Sequence, residues 1–99
     1  MLIYPVEISQ TASSGAWSVN TPRFSAGILK QILIEATTST ATFKLSITDD
    51  KGLVVYNNEG ATGAIMEEVN IPLKGIYTIA AASASVDEAY VGRFMVQEQ

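Results

Sequence analysis

The sequence contains no cysteine and no histidine. Their absence excludes disulfide bonds, cysteine and histidine zinc sites, thiol nucleophiles and imidazole acid-base catalysis. Positive charge is also scarce, because only 6 residues are lysine or arginine and the formal net charge is -4. Proteins bind nucleic acids largely through lysine and arginine contacts to phosphates. We therefore expect no nucleic-acid partner.

Long hydrophobic runs are missing as well. No apolar stretch approaches the roughly 20 residues that a membrane-spanning helix needs. Residues 1–5 lack the basic segment of a secretion signal, and Val6-Glu7 interrupts any apolar segment after them. The sequence thus predicts no membrane partner and a product that stays in a cytoplasm or is assembled into a particle there.

Apolar residues are plentiful where charges are few. Hydrophobic residues make up 47% of the chain and charged residues 16%. A chain of 99 residues is long enough for one hydrophobic core and too short for a second domain. With so few charges, we expect some apolar surface to remain once the core is filled, which would suit association with another molecule.

The clearest local pattern covers residues 42–56, which predict a β-hairpin. Phe43, Leu45 and Ile47 alternate with polar residues, as in a strand with one buried and one exposed face. Residues 49–52 read Asp-Asp-Lys-Gly, a turn sequence whose aspartates bond nearby backbone groups and whose glycine tolerates positive φ. Residues 53–56 then resume in β-forming side chains, and we interpret the rest of the chain as built around this hairpin.

Alternation of apolar and polar residues predicts further strands. The strand over residues 2–8 contains Pro5, which cannot donate to a backbone ladder and so predicts an edge strand. Residues 57–63 are rich in asparagine and glycine and predict a flexible loop. The other predicted strands cover residues 17–19, 69–73, 76–82 and 90–96, the second of them edge-like because it contains Pro72.

Residues 27–36 fit either a strand or a helix. Their β-branched content favours the strand, in which Ile28, Ile32 and Ile34 would face one way. Leu29 and Leu33 would then face the other way, which is typical of a strand inside a sandwich or at a subunit contact.

Seven to eight short strands separated by turn signals predict an all-β fold, an antiparallel β-sandwich formed by a single domain over residues 1–99. Both an immunoglobulin-like and a jelly-roll topology fit this pattern.

The sequence offers few candidates for chemistry. Asp49-Asp50 and Asp87-Glu88 could share a calcium ion, but they are better explained as turn-stabilising acids, because a calcium shell needs 6 to 8 oxygens. We therefore expect no metal, no cofactor and no catalytic residues, and hence no enzyme. Trp17, with Tyr56 or Tyr90, could form a sugar-stacking platform, although aromatic residues of sandwiches more often lie in the core or at interfaces.

Three segments carry a resemblance to a known group of proteins. They read TPRFSAGILKQILIEA, FKLSITDDKGLVVY and VNIPLKGIYTIAAASASVDEAYVGRFMV. They resemble the small all-β structural proteins of tailed-bacteriophage particles, especially capsid decoration or cement proteins. The resemblance implies a virion location, a homo-oligomer that is commonly a trimer, and a major capsid protein or other virion protein as partner. A tail, head-tail adaptor or fibre-associated subunit and a carbohydrate-binding module remain alternatives.

A partner-binding surface is expected on the edge strand or on the loops. The predicted interface residues are Leu2, Tyr4, Trp17, Phe24 and Met66.

Overall fold

The computed structural model describes residues 2–12, 15–82 and 88–98, with only the backbone described for Leu2 and Tyr4. These residues form eight β-strands. The strands are β1 (Leu2–Thr11), β2 (Trp17–Asn20), β3 (Phe24–Ala36), β4 (Thr42–Asp49), β5 (Val54–Thr62), β6 (Ala64–Gly75), β7 (Tyr77–Ala82) and β8 (Ala89–Glu98).

The strands pair as a folded ribbon whose tip is the hairpin β4–β5. All pairs are antiparallel, and β1 pairs with β8, β2 with β7, β3 with β6 and β4 with β5. Additional β3–β8 and β4–β7 pairs complete two sheets, β1-β8-β3-β6 and β2-β7-β4-β5, which we name the β1 sheet and the β2 sheet. The two sheets share a single backbone pair, Thr62 with Ala64. The fold is therefore an antiparallel β-sandwich, as predicted, and its strand order is that of a jelly roll.

Aromatic contacts join the two sheets across the core. The ring of Tyr90 in β8 lies 5.8 Å from that of Trp17 in β2 and 5.1 Å from that of Phe43 in β4, between centroids. At the other end of the sandwich, Phe24 of β3 and Tyr77 of β7 are 6.2 Å apart. Because each pair takes one ring from each sheet, burial of these rings holds the sheets together.

Residues 27–36 belong to a strand, as favoured, and β3 lies between β8 and β6. The predicted simple alternation is wrong, because the register towards both neighbours shifts between Leu29 and Gln31. Towards β8, the intervening Lys30 is the extra residue of a β-bulge, which reverses the faces beyond it, whereas towards β6 the extra residue lies in β6. Leu29 and Ile32 consequently both point into the core.

The predicted loop over residues 57–63 is wrong, since β5 runs to Thr62. Within β5, the Asn58 side chain forms a local hydrogen bond of the kind found in turns. Its Oδ1 accepts the N–H of Gly60 at 3.0 Å. The register between β4 and β5 shifts at this point, because β5 has an extra residue there. The glycine-rich sequence therefore forms a bulge. The actual reversal is at Gly63, with a φ of 75° that favours glycine.

Candidate interaction surfaces

Asp49 of the first acidic pair stabilises the β4–β5 turn. Asp49 Oδ1 accepts the backbone N–H groups of Lys51 at 2.9 Å and Leu53 at 2.8 Å. The predicted hairpin and its aspartate chemistry are thus present. Asp87 of the other acidic pair lies outside the described residues. Over residues 2–12, 15–82 and 88–98, no group of three or more acidic, histidine or cysteine side chains is placed to hold a metal ion.

The predicted interface residues whose side chains the structure describes do not share one surface. Trp17 and Phe24 are 6% and 5% exposed and belong to the core, whereas Met66 is 73% exposed on β6. Leu2 and Tyr4 lie on β1, where their backbones pair with Glu98 and Val96. Their interface role stays a prediction.

A sugar-stacking platform would need an exposed ring. Trp17 is buried and Tyr90 is 0% exposed, so neither ring can stack on a sugar at the surface. Tyr56 is half-buried and is the remaining member of that predicted set.

The outer face of the β1 sheet carries exposed apolar side chains. Ile3, Met66 and Val91 are 53%, 73% and 54% exposed. Four charged side chains lie among them, since Glu35 and Glu68 are also exposed on this face and Glu7 and Arg93 are paired in the ladder between β1 and β8. The same row of the sheet continues through Leu33 and Met66.

The outer face of the β2 sheet consists mainly of short side chains. One row across the sheet contains Ser18, Ala80, Ser46 and Asn57. The next row contains Asn20, Thr78 and Thr48, followed by Val54. This face therefore offers hydroxyl and methyl groups close to the sheet plane, whereas the outer face of the β1 sheet offers longer apolar groups.

Glu67 covers the corner of the sandwich where β5 and β6 lie. Its Oε2 accepts the hydroxyl of Tyr56 at 3.0 Å, and its Oε1 accepts Nδ2 of Asn58 at 3.3 Å. Burial raises the pKa of Tyr56, a hydrogen bond with Asn58 lowers it, and the hydrogen bond and charge of Glu67 raise it further. The side chain of β6 thus bonds side chains of β5 where the two backbones no longer pair.

The opposite corner contains β1, an edge strand as Pro5 predicts. Beyond its last residue, the N–H of Ala12 donates to the carbonyl oxygen of Glu88 at 2.8 Å, in register with the β1–β8 ladder. The backbone N–H and C=O groups of successive residues in a strand point to opposite sides. Because Ala12 bonds Glu88, the even-numbered residues of β1 bond β8. The odd-numbered residues direct their backbone groups to the free side, and Pro5 is among them.

Three of the six basic residues converge at the end of the sandwich near the β4–β5 turn. Arg23, Lys51 and Lys74 line one open groove together with Asp49 and Asp50. The sequence analysis missed this cluster, because the three positions are far apart in the chain. Their common location at predicted turns was the available signal.

Two buried polar atoms lie in the Trp17–Tyr90 contact. Within the part of the chain that the structure describes, neither Trp17 Nε1 nor the Tyr90 hydroxyl has a hydrogen-bond partner. Burial raises the pKa of Tyr90, and the charge of Glu88 raises it further.

Comparisons with known proteins give little further information. No protein-family model and no curated protein matches the sequence. A solved structure titled "Structure of infectious bursal disease virus Gx strain" contains a chain with a TM-score of 0.48 and 13% sequence identity. The match covers 96% of this chain and 30% of that chain. A likeness at this level carries no argument about function. Among the described residues, no helix is long and apolar enough to cross a membrane.

Proposed function

We propose that the protein is a non-enzymatic structural component of a tailed-bacteriophage particle, binding and reinforcing the capsid surface as a decoration or cement subunit. The observation that carries this proposal is the outer face of the β1 sheet, with Ile3, Met66 and Val91 each more than half exposed. Covering exposed apolar side chains with a partner protein is favourable, because it removes apolar area from water. The jelly-roll order adds support, because viral capsid proteins commonly use this fold.

The proposed partner is a major capsid protein or another virion protein. Phage-like sequence segments favour this partner class, and the low content of lysine and arginine disfavours nucleic acid. The buried position of Trp17 disfavours the carbohydrate-binding alternative. The resemblance also implies a homo-oligomer on the virion, commonly a trimer.

The proposal is tested by mixing the protein with undecorated phage capsids and sedimenting them. We expect the wild-type protein to sediment with the capsids at micromolar concentration. The triple variant Ile3→Gln, Met66→Gln, Val91→Gln should stay in the supernatant, because it removes the exposed apolar groups without adding charge. A matched control with Ser18→Gln, Lys44→Gln and Thr48→Gln on the β2 sheet should still sediment.

Wild-type protein that remains in the supernatant would refute the decoration role. Binding that is lost equally in both triple variants would show that the outer face of the β1 sheet is not the contact. Density on a tail instead of the shell, in a particle reconstruction, would replace the capsid role with the tail or adaptor role.

A further inference from the structure

The four strands at the sheet ends differ in how their free backbone edges are protected. Strand β2 has only four residues. Strand β5 contains bulges, and Glu67 of β6 bonds the side chains of Tyr56 and Asn58 across the corner. Strand β6 also contains Pro72. Short length, bulges, proline and side-chain cover are the usual means of preventing edge pairing.

Strand β1 has such protection only in its first half. It has ten residues and pairs on one side with β8 alone. The backbone groups directed to its free side belong to Ile3, Pro5, Glu7, Ser9 and Thr11. Pro5 has no N–H there, whereas residues 7–11 contain neither proline nor glycine and show no register shift. Within the part of the chain that the structure describes, none of these means of protection is present at residues 7–11, which we name the 7–11 edge.

The backbone groups of a free strand edge determine which kind of partner the edge can bind. Its alternating donors and acceptors are satisfied by another extended backbone that presents the complementary series. A second copy of this chain presents that series with the same spacing. We infer that two copies of this protein pair antiparallel through their 7–11 edges, around a two-fold axis, and join their β1 sheets into one continuous sheet.

The register of this pairing follows from the residues that face the free side. If the axis passes Ser9, each Ser9 lies opposite its copy and each Glu7 lies opposite Thr11 of the other chain. About six backbone hydrogen bonds then form and neither Pro5 takes part. Hydroxyl side chains directly opposite each other are favourable cross-strand neighbours.

Two other registers, with the axis nearer to Pro5, carry costs that the Ser9 register does not. With the axis at Glu7, two carboxylates lie opposite each other and Pro5 lies opposite Ser9. With the axis midway between Glu7 and Ser9, Pro5 lies opposite Thr11. Both registers leave carbonyl groups without a donor, and the first also opposes like charges. The pairing centred on Ser9 avoids both costs.

This contact joins two copies, so it differs from the trimer that the resemblance implies, and it does not rest on the proposed capsid role. The paired segment is short, and we expect a weak dimer. Light scattering up to about 1 mM, where even a weak contact is populated, should show the mass rising from 10.6 kDa towards twice that value.

Two proline variants make the first test. Ser9→Pro removes an N–H at the centre of the proposed contact, and Ile3→Pro removes an equivalent free-side N–H outside it. Neither N–H bonds β8, so both variants should keep the fold, which circular dichroism verifies. We expect Ser9→Pro to weaken dimerisation at least about tenfold and Ile3→Pro to leave it unchanged.

A charge variant keeps the test decisive if Ser9→Pro does not fold. Ser9→Lys sets two lysines opposite each other, so the dimer should dissociate at low salt and return at high salt, whereas Ser9→Thr should behave as wild type. A wild-type mass of 10.6 kDa at every concentration would overturn the inference. Equal loss of dimer in Ser9→Pro and Ile3→Pro would overturn the assigned segment.

Discussion

The two corners of the sandwich differ in how the free backbone edges of their strands are covered. At the β5–β6 corner, the Glu67 carboxylate bonds Tyr56 and Asn58, so side chains cover backbone edges that no longer pair. At the β1 corner, Pro5 protects only the first half of the strand, and no described residue pairs with the 7–11 edge on its free side. Because exposed edges invite pairing with other chains, β1 is the edge that we propose for association.

The largest effect should follow from disturbing the strand that supports β1. A Cβ atom at Gly92 in β8 would meet the backbone carbonyl of Leu33 and would lie 2.9 Å from Ile34 Cα. Backbone cannot move aside as a flexible side chain can, so Gly92→Ala should lower the free energy of unfolding by about 3 kcal/mol or more. Chemical denaturation measures this.

The matched control is Gly60→Ala in β5, at the other corner. A Cβ atom there has no neighbour within 4 Å. We expect a change within about 0.5 kcal/mol. Equal costs for the two substitutions would contradict the close approach of β8 and β3 at Gly92.

Opening the covered corner should have a smaller effect. Glu67→Ala removes the acceptor of both side-chain hydrogen bonds at this corner and should cost about 1–2 kcal/mol. The neighbouring Glu68→Ala, at an exposed position of β6, should cost less than about 0.5 kcal/mol. In a double-mutant cycle, Glu67→Ala and Tyr56→Phe should be non-additive. Additive effects would show that the hydrogen bond contributes nothing to stability.

Two buried tyrosines provide a comparison between the ends of the core. The Tyr77 hydroxyl accepts the N–H of Lys74 at 2.8 Å, so Tyr77→Phe should cost about 1 kcal/mol. The Tyr90 hydroxyl is buried with no partner among the described residues, so Tyr90→Phe should be neutral or stabilising by up to about 1 kcal/mol. A clear loss of stability for Tyr90→Phe would indicate a hydrogen bond at that hydroxyl.

The pH dependence of stability should reflect Tyr56 and Tyr90. Burial is the main cause that raises both pKa values above the ordinary 10.0. As pH rises through 10, the unfolded chain loses these protons before the folded chain does, so stability present below that pH declines above it. Thermal unfolding of the Tyr56→Phe, Tyr90→Phe double variant should show a shallower decline. An unchanged decline would contradict this assignment.

The sequence predicted the sandwich because its main signals are local. The alternation of Phe43, Leu45 and Ile47 with polar residues predicted the first strand of the hairpin, and Pro5 correctly predicted an edge strand. The bulge at Lys30 could not be predicted, because it depends on the registers of two neighbouring strands. For the same reason, residues 57–63 were mistaken for a loop, since the contacts of Asn58 with Gly60 and Glu67 exist only after folding.

The candidate surfaces were less predictable than the fold. Met66 is exposed, but Trp17 and Phe24 lie in the core, because composition does not reveal which aromatic side chains meet across the sheets. The open side of β1 depends on which residues bond β8, and that follows from the register of β1 with β8 together with the Ala12–Glu88 bond.

Amide hydrogen exchange as a function of protein concentration tests the central comparison most directly. We expect the amides of Glu7, Ser9 and Thr11 to exchange more slowly as concentration rises, while the amides of Ile3 in β1 and Met66 in β6 exchange at an unchanged rate. Exchange at Glu7, Ser9 and Thr11 that is independent of concentration up to about 1 mM would contradict an open edge that pairs with a second copy.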